Sequence, residues 1–244
     1  MFLSRGVTSE RNRPRWVGRW VHLAAAVLGV LPIYASVMVL QIRDGRALTL
    51  EGFIIYLVVI SPLTIVTTLL LLRLLCGESV RDLNLKAGKV SRDLVSGLAL
   101  SMVILVANVI SMQLLSRLMP GSASNASVGS LFVDLAADPM LLGLFLGLLL
   151  FLGAASEELV RAFLLSRLWK VWPSIVDRSA AVLASAGLFG LIHLYQGPVH
   201  AVWAGILGLI MALYYARFGR IIPLVFGHYV TNALQVVVFA VNAD

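Results

Sequence analysis

The chain has 244 residues, of which 60% are hydrophobic and only 13% are charged, and its mean hydropathy is +0.95. A soluble globular domain is about 45–50% apolar and about 25% charged, so the composition excludes that class. The net charge of +7 would suggest nucleic-acid binding in a soluble protein. Here the basic residues cluster at the ends of apolar runs, where they orient membrane helices, and we expect a membrane protein that binds no nucleic acid.

Seven apolar stretches follow one another along the chain, and each can cross a bilayer core of about 30 Å as a helix. Lipid leaves only helices and closed barrels viable, and the run 141–152 does not alternate as barrel strands do. We therefore predict an all-α, polytopic transmembrane helical bundle with about seven spans, within a range of six to eight. The predicted spans are 20–42, 53–75, 94–118, 139–170, 179–195, 199–216 and 221–242.

The polar segments divide the chain into four parts. Residues 1–19 are a basic N-terminal segment, 20–118 form three transmembrane helices, 119–138 are a flexible loop rich in Gly and Ser, and 139–244 form a helical core. Of the 19 Lys and Arg residues, 16 lie in alternate loops, which places the N-terminus in the cytoplasm and the C-terminus outside. The single cysteine, Cys76, excludes an internal disulfide and a cysteine-based metal cluster.

The fourth run holds three charged residues well inside its apolar length: Glu157, Glu158 and Arg161. A charge at mid-membrane costs about 2.5–3.5 kcal/mol even on lenient insertion scales, so adjacent carboxylates there indicate a functional site. On a helix Arg161 stands i,i+4 from Glu157 and i,i+3 from Glu158, and can pair with either. The structural alternative is a buried ion pair that fixes helix packing. One arginine does not neutralise two carboxylates, however, so the second acid needs another partner or water.

Three more polar side chains occur in the last runs: His193, and the pair His228 and Asn232, which share a helix face at i,i+4. At 1.5 Å per residue from the nearest cytoplasmic basic residue, Glu157, His193 and Asn232 lie about 18–22 Å along their helices and can meet at one level. This register leaves residues 139–150 in excess, to be accommodated by tilt, by a kink near Gly153 or by a separate short helix. The other two histidines, at 22 and 200, lie near predicted interfaces and are left out of the site.

Two carboxylates, two imidazoles and a carboxamide suit the activation of a water molecule. Glu157, Glu158 or a histidine would take its proton, and the remaining His and Asn would stabilise the oxyanion of a tetrahedral intermediate. This preferred mechanism requires no cofactor. The alternative is zinc or another divalent metal held by Glu157, His193 and His228, although the sequence has no His-Glu-x-x-His.

These residues resemble the three-motif signature of the CPBP family, which comprises type II CAAX prenyl proteases and bacteriocin-processing membrane proteins. The resemblance rests on the order and spacing of three motifs over about residues 139–242: Glu157-Glu158…Arg161, Phe189-x-x-x-His193 and His228-x-x-x-Asn232. It implies an intramembrane protease with metalloendopeptidase activity, and it makes residues 139–244 the catalytic core. By resemblance His193 helps to activate the water, His228 and Asn232 form the oxyanion site, and Arg161 and Phe189 orient the acids.

One departure from the family pattern concerns the first motif. The family usually has Glu-Glu-x-x-x-Arg, whereas only two residues separate Glu158 from Arg161 here. If the first motif is aligned on its two glutamates, Glu157 is the base. If it is aligned on the arginine, Ser156 takes the position of the base and Glu157 becomes the second acid. The chemistry needs a carboxylate, which favours Glu157 as base and Glu158 as its partner.

The sequence thus favours an intramembrane endopeptidase that acts on a membrane-associated protein or peptide. Two other functions compete with it. One is a non-catalytic relative that acts as a scaffold, immunity or regulatory protein, and the other is a transporter or proton relay that uses the same acids. The short loops favour a multi-pass protein of a bacterial inner membrane with a bacterial substrate rather than a prenylated one, and the pattern sets no oligomeric state.

Overall fold

The computed structural model describes residues 15–43, 49–83, 88–120, 135 and 137–241. Most of the predicted N-terminal segment 1–19 and of the predicted flexible loop 119–138 lies outside these residues. The described part contains seven long helices and no strand. They are α1 (Arg15–Arg43), α2 (Leu50–Leu75), α3 (Val90–Leu118), α4 (Pro139–Val171), α5 (Ile175–Ile192), α6 (Pro198–Phe218) and α7 (Ile221–Val241).

All seven helices are long and apolar enough to cross a membrane, which confirms the predicted all-α bundle of seven spans. Their ends lie at the signals that terminate helices. The Asp138 carboxylate accepts hydrogen bonds from the backbone N–H groups of Met140 and Leu141 at the start of α4, where Pro139 occupies the first turn. Helix α6 ends at Gly219, whose φ of 60° is left-handed.

Helix α4 lies at the centre of the bundle. It packs against α1 and α2 on one side and against α5, α6 and α7 on the others. Every residue from Glu158 to Leu165 is buried, so this part of the helix is enclosed all round. A charged side chain on it must find its partners within the protein, and the acid pair of the fourth run lies at the beginning of this enclosed stretch.

The excess residues at the start of the fourth run belong to the same helix as the acids. The 33 residues of α4 correspond to about 50 Å, and a π-helical turn at Phe145–Leu149 interrupts the α-helical pattern. The structure therefore shows one continuous helix with a π-helical turn, and not a separate short helix. Such a turn locally redirects the side chains that follow it.

Helix α5 ends three residues before the predicted run 179–195 does, because its last residue is Ile192 and His193 is its C-cap. The His193 ring Nδ1 lies 2.8 Å from the Phe189 carbonyl oxygen, and the His193 backbone N–H bonds to Gly190 instead. The side chain thus takes the carbonyl that the backbone would use to continue the α-helical pattern. Gly197, with φ of 99°, then turns the chain into α6.

Close contact between α3 and α7 depends on two glycines. A Cβ on Gly97 would lie 2.9 Å from the Pro223 carbonyl oxygen, and one on Gly227 would lie 2.9 Å from the Gly97 carbonyl oxygen. Small residues let the backbones of membrane helices approach closely. Because His228 follows Gly227 directly, this contact fixes the position of the third motif.

Candidate active site

The second acid of the pair, Glu158, is fully buried and fully occupied. Arg161 donates to it twice, from Nε to Oε2 at 2.9 Å and from Nη2 to Oε1 at 3.2 Å. The predicted i,i+3 pairing is therefore present. A charge-assisted bidentate pair of this kind is among the stronger hydrogen-bonding arrangements in proteins, and it leaves Glu158 little capacity for a substrate.

Arg161 is itself held by two further contacts. Its Nη1 donates to the Gly208 carbonyl oxygen on α6 at 3.1 Å, and its guanidinium lies 4.4 Å from the centroid of the Phe189 ring. A Cβ on Gly208 would lie 3.0 Å from Phe189 Cβ and 3.3 Å from Arg161 Nη1. Phe189 and Arg161 thus orient each other.

His228 lies between the two acids. Its Nδ1 is 2.9 Å from Glu158 Oε1, and its Nε2 is 3.7 Å from Glu157 Oε2. Because a buried, Arg-paired carboxylate accepts, we assign the proton to Nδ1, which donates to Glu158. Glu158 therefore orients the imidazole, and Nε2 faces Glu157.

Glu157 is the less buried acid, with 13% of its side chain exposed. Its Oε1 accepts a hydrogen bond from the Tyr56 hydroxyl at 2.8 Å, while its Oε2 faces His228. The residue also lines a small cavity between α1, α4 and α5. The cavity wall is mainly apolar, and its other lining residues are Val30, Ile33, Tyr34, Val160, Arg161, Leu164, Ser185, Phe189 and Ile192.

The ring of His193 is brought to the same site through Phe189. The ring centroids of His193 and His228 lie 4.6 Å and 6.0 Å from that of Phe189. Since a carbonyl oxygen only accepts, the His193 Nδ1–H donates to Phe189, and the neutral ring then presents an unprotonated Nε2. An imidazole in this form can accept a proton from a water molecule.

Asn232 lies one turn beyond His228 on α7 and is partly exposed. Its carboxamide makes no hydrogen bond to the residues that the structure describes, so it is available as a donor. The structure thus groups Glu157, Glu158, Arg161 and His228 by direct contacts, adds His193 through Phe189, and leaves Asn232 adjacent on the helix of the third motif.

Two tyrosines of the site were missed by the sequence reasoning. Tyr56, on α2, contacts Glu157 directly, and Tyr34, on α1, lines the same cavity. Both lie before residue 139, where no motif marks the sequence. The only available signal was a polar hydroxyl within an apolar run, and a tyrosine there is ordinarily read as packing or interfacial.

The residues present do not fit a metal ion. Among the described residues, no three His, Cys, Asp or Glu side chains converge as a metal would need. The Tyr56 hydroxyl also occupies one oxygen of Glu157. No step of the chemistry below is therefore assigned to a metal.

Comparison with known protein families shows a match to the family described as Type II CAAX prenyl endopeptidase Rce1-like, over residues 139–234. No curated protein and no solved structure matches the chain. The matched segment runs from the start of α4 to beyond Asn232 and contains all three motifs. It supports a CAAX protease-like intramembrane function in general. Over residues 139–234 the chain is therefore similar to the Rce1-like type II CAAX prenyl endopeptidases.

Proposed function

We propose that the protein is an intramembrane endopeptidase that hydrolyses a peptide bond of a membrane-associated protein or peptide, with Glu157 as the base that activates water. The observation that carries this proposal is the unequal state of the two adjacent acids. Glu158 is buried and paired with Arg161, whereas Glu157 lines a cavity and keeps Oε2 free of a hydrogen bond from the described residues. In two acids that served only to hold helices together, both carboxylate oxygens of each would accept hydrogen bonds from the protein.

The proposed reaction begins with a water molecule beside Glu157 Oε2 and His193. Glu157 takes a proton from the water, and His193 Nε2 orients it as a hydrogen-bond acceptor. The hydroxide oxygen bonds to the carbonyl carbon of the peptide, whose oxygen becomes an oxyanion. Glu157 then returns the proton to the amide nitrogen as the C–N bond breaks, which releases an amine and a carboxyl group.

Asn232 and His228 stabilise the oxyanion in this proposal. The Asn232 carboxamide donates from its NH₂ group. His228 donates from Nε2 in its imidazolium form, because its other ring nitrogen already donates to Glu158. The part of Glu158 and Arg161 is to hold His228 in this orientation.

The cavity and the topology suggest the kind of substrate. Apolar side chains of α1, α4 and α5 line most of the cavity, which suits a segment that reaches the site from the membrane. The short loops lead us to propose a bacterial inner membrane, and the loop charges lead us to propose an N-terminus in the cytoplasm. The substrate is then a bacterial membrane protein or peptide rather than a prenylated protein.

The test is cleavage of a membrane-presented peptide library by the purified protein in liposomes. We expect wild-type protein to cleave and Glu157→Gln to reduce turnover by about 10²-fold or more, the range in which a general base contributes. The control is Glu51→Gln, which alters an exposed acid at the start of α2. Equal turnover by wild type and Glu157→Gln would contradict the mechanism. A wild type that cleaves nothing would favour the non-catalytic scaffold or regulatory function.

A further inference from the structure

A tyrosine outside the family segment contacts the proposed base. The Tyr56 hydroxyl donates to Glu157 Oε1 at 2.8 Å, and Tyr56 is 6% exposed. We infer that Tyr56 is a positioning residue of the reaction, which holds the Glu157 carboxylate so that Oε2 faces the water. The inference rests on the proposed function, and it adds a residue of α2 to a site whose motifs all lie between 139 and 234.

The backbone around Tyr56 departs from the α-helix at this point. Residues Tyr56–Ile60 form a π-helical turn within α2, a feature that often occurs at functional sites. The Ser61 backbone N–H and its hydroxyl both donate to the Tyr56 carbonyl oxygen, the hydroxyl at 3.2 Å. Ser61 is fully buried, so the turn has its own polar support and does not depend on water.

The approach of α2 to α4 brings the hydroxyl within reach. A Cβ on Gly153 would lie 2.8 Å from Leu57 Cδ2, so a glycine one turn before Glu157 leaves room for the residue that follows Tyr56. The Tyr56 ring stacks on Phe53, with ring centroids 6.5 Å apart and planes 7° apart. Packing therefore fixes the ring, and the ring fixes where its hydroxyl meets the carboxylate.

This contact has a specific consequence for Glu157. A glutamate side chain samples several rotamers, and a base must lie within hydrogen-bond reach of the proton that it abstracts. With Oε1 held by Tyr56 and His228 on the other side at 3.7 Å, the carboxylate plane is set from two helices. Without the Tyr56 hydroxyl, the Glu157 carboxylate can rotate, although the base itself is still present.

The first readout is the kinetics of Tyr56→Phe, which removes the hydroxyl and keeps the ring. We expect kcat to fall about tenfold, equivalent to about 1.4 kcal/mol, while KM and the melting temperature stay near the wild-type values. The matched control is Tyr229→Phe on α7. Its ring packs on Phe151 at 6.1 Å, and its hydroxyl bonds to none of the described residues. An unchanged kcat in Tyr56→Phe would overturn the inference.

The second readout does not depend on proteolysis. A hydrophobic carbodiimide reacts with membrane carboxyl groups, and mass spectrometry gives the rate of labelling at Glu157, with Glu157→Gln as the blank. Tyr56→Phe should raise this rate several-fold, because it frees Oε1, whereas Tyr229→Phe should not. Equal rates in Tyr56→Phe and wild type would overturn the contact. Raised labelling in a protein that cleaves no peptide would support the contact and reject the proposed function.

Discussion

Two glutamates that are adjacent in sequence lie in different environments, because consecutive residues on a helix point about 100° apart. Glu158 points to the interior and meets Arg161 and His228. Glu157 points toward α2, where its carboxylate meets the Tyr56 hydroxyl, and it also lines the cavity. The spacing of the first motif, with one residue fewer before the arginine than the family pattern, pairs Arg161 with Glu158 at i,i+3 and leaves Glu157 for the site.

This division predicts unequal effects on stability for the two acids: a large loss at Glu158 and a small change at Glu157. Glu158→Gln leaves the Arg161 guanidinium buried without a counter-charge, and we expect it to lower the free energy of unfolding by about 3–5 kcal/mol. Glu157→Gln keeps a hydrogen-bond acceptor for Tyr56 and should change the free energy of unfolding by less than about 1 kcal/mol. Chemical unfolding in detergent measures both. Equal losses in the two variants would show that Glu157 is a structural residue.

Helical spacing alone brings several of the predicted site residues together. Arg161 beside Glu158, and His228 one turn from Asn232, follow from i,i+3 and i,i+4 positions. The sequence predicted that His228 and the two acids lie at one level of the membrane, but it did not predict that His228 lies between both acids. Tyr56 could not be predicted, since its contact depends on how closely α2 packs against Gly153, and nothing distinguishes it from the other five tyrosines.

At the scale of the helices, the apolar runs predicted the number of spans and most ends to within a few residues. The exceptions have local causes. The end of α5 lies before the end of its apolar run because the His193 side chain takes the Phe189 carbonyl. The π-helical turns in α2 and α4 were not predicted, since hydropathy does not distinguish i→i+5 bonding from i→i+4.

A cluster beyond the end of α2 joins the connection after this helix to α4. Glu78 accepts from Arg167 at 2.9 Å and 2.7 Å and pairs with Lys170. Arg167 is fully buried, and its Nη1 lies 3.4 Å from His22 Nδ1 on α1. This cluster ties α1, α2 and α4 together and so supports the packing that places Tyr56.

The cluster predicts a pH-dependent contribution to stability. Burial by itself raises the pKa of Glu78, but hydrogen bonds and charges of Arg167 and Lys170 outweigh it and hold the pKa below its ordinary value of 4.5. A lowered folded-state pKa stabilises the fold above the unfolded value, and this stabilisation is lost as the pH falls through the folded value. Glu78→Gln should therefore be less stable than wild type at pH 7.

The measurement is the melting temperature of wild type and Glu78→Gln in detergent between pH 7 and pH 3. The difference between them should be largest above about pH 5 and should shrink on acidification, because wild type then loses the same charge. A difference that stays constant over this range would contradict the assigned role of Glu78.

At the scale of the whole molecule, the segment that matches the family is not the whole site. Residues 139–234 supply the two acids, the two site histidines and Asn232. Helix α1 supplies Tyr34 and part of the cavity wall, and α2 supplies Tyr56. The candidate site therefore includes residues from both sides of the predicted boundary between the three N-terminal helices and the core at 139–244. The inside-positive orientation stays a prediction from the loop charges.

The central claim is that Glu157 activates water for the hydrolysis of peptide bonds in membrane substrates. Its most direct test is a proteomic comparison of the termini of membrane proteins in cells that express wild type, Glu157→Gln or Glu51→Gln at equal levels. If Glu157 activates the water, we expect new termini within or beside apolar segments with wild type and with Glu51→Gln, and no such termini with Glu157→Gln. The same set of termini in all three strains would contradict it.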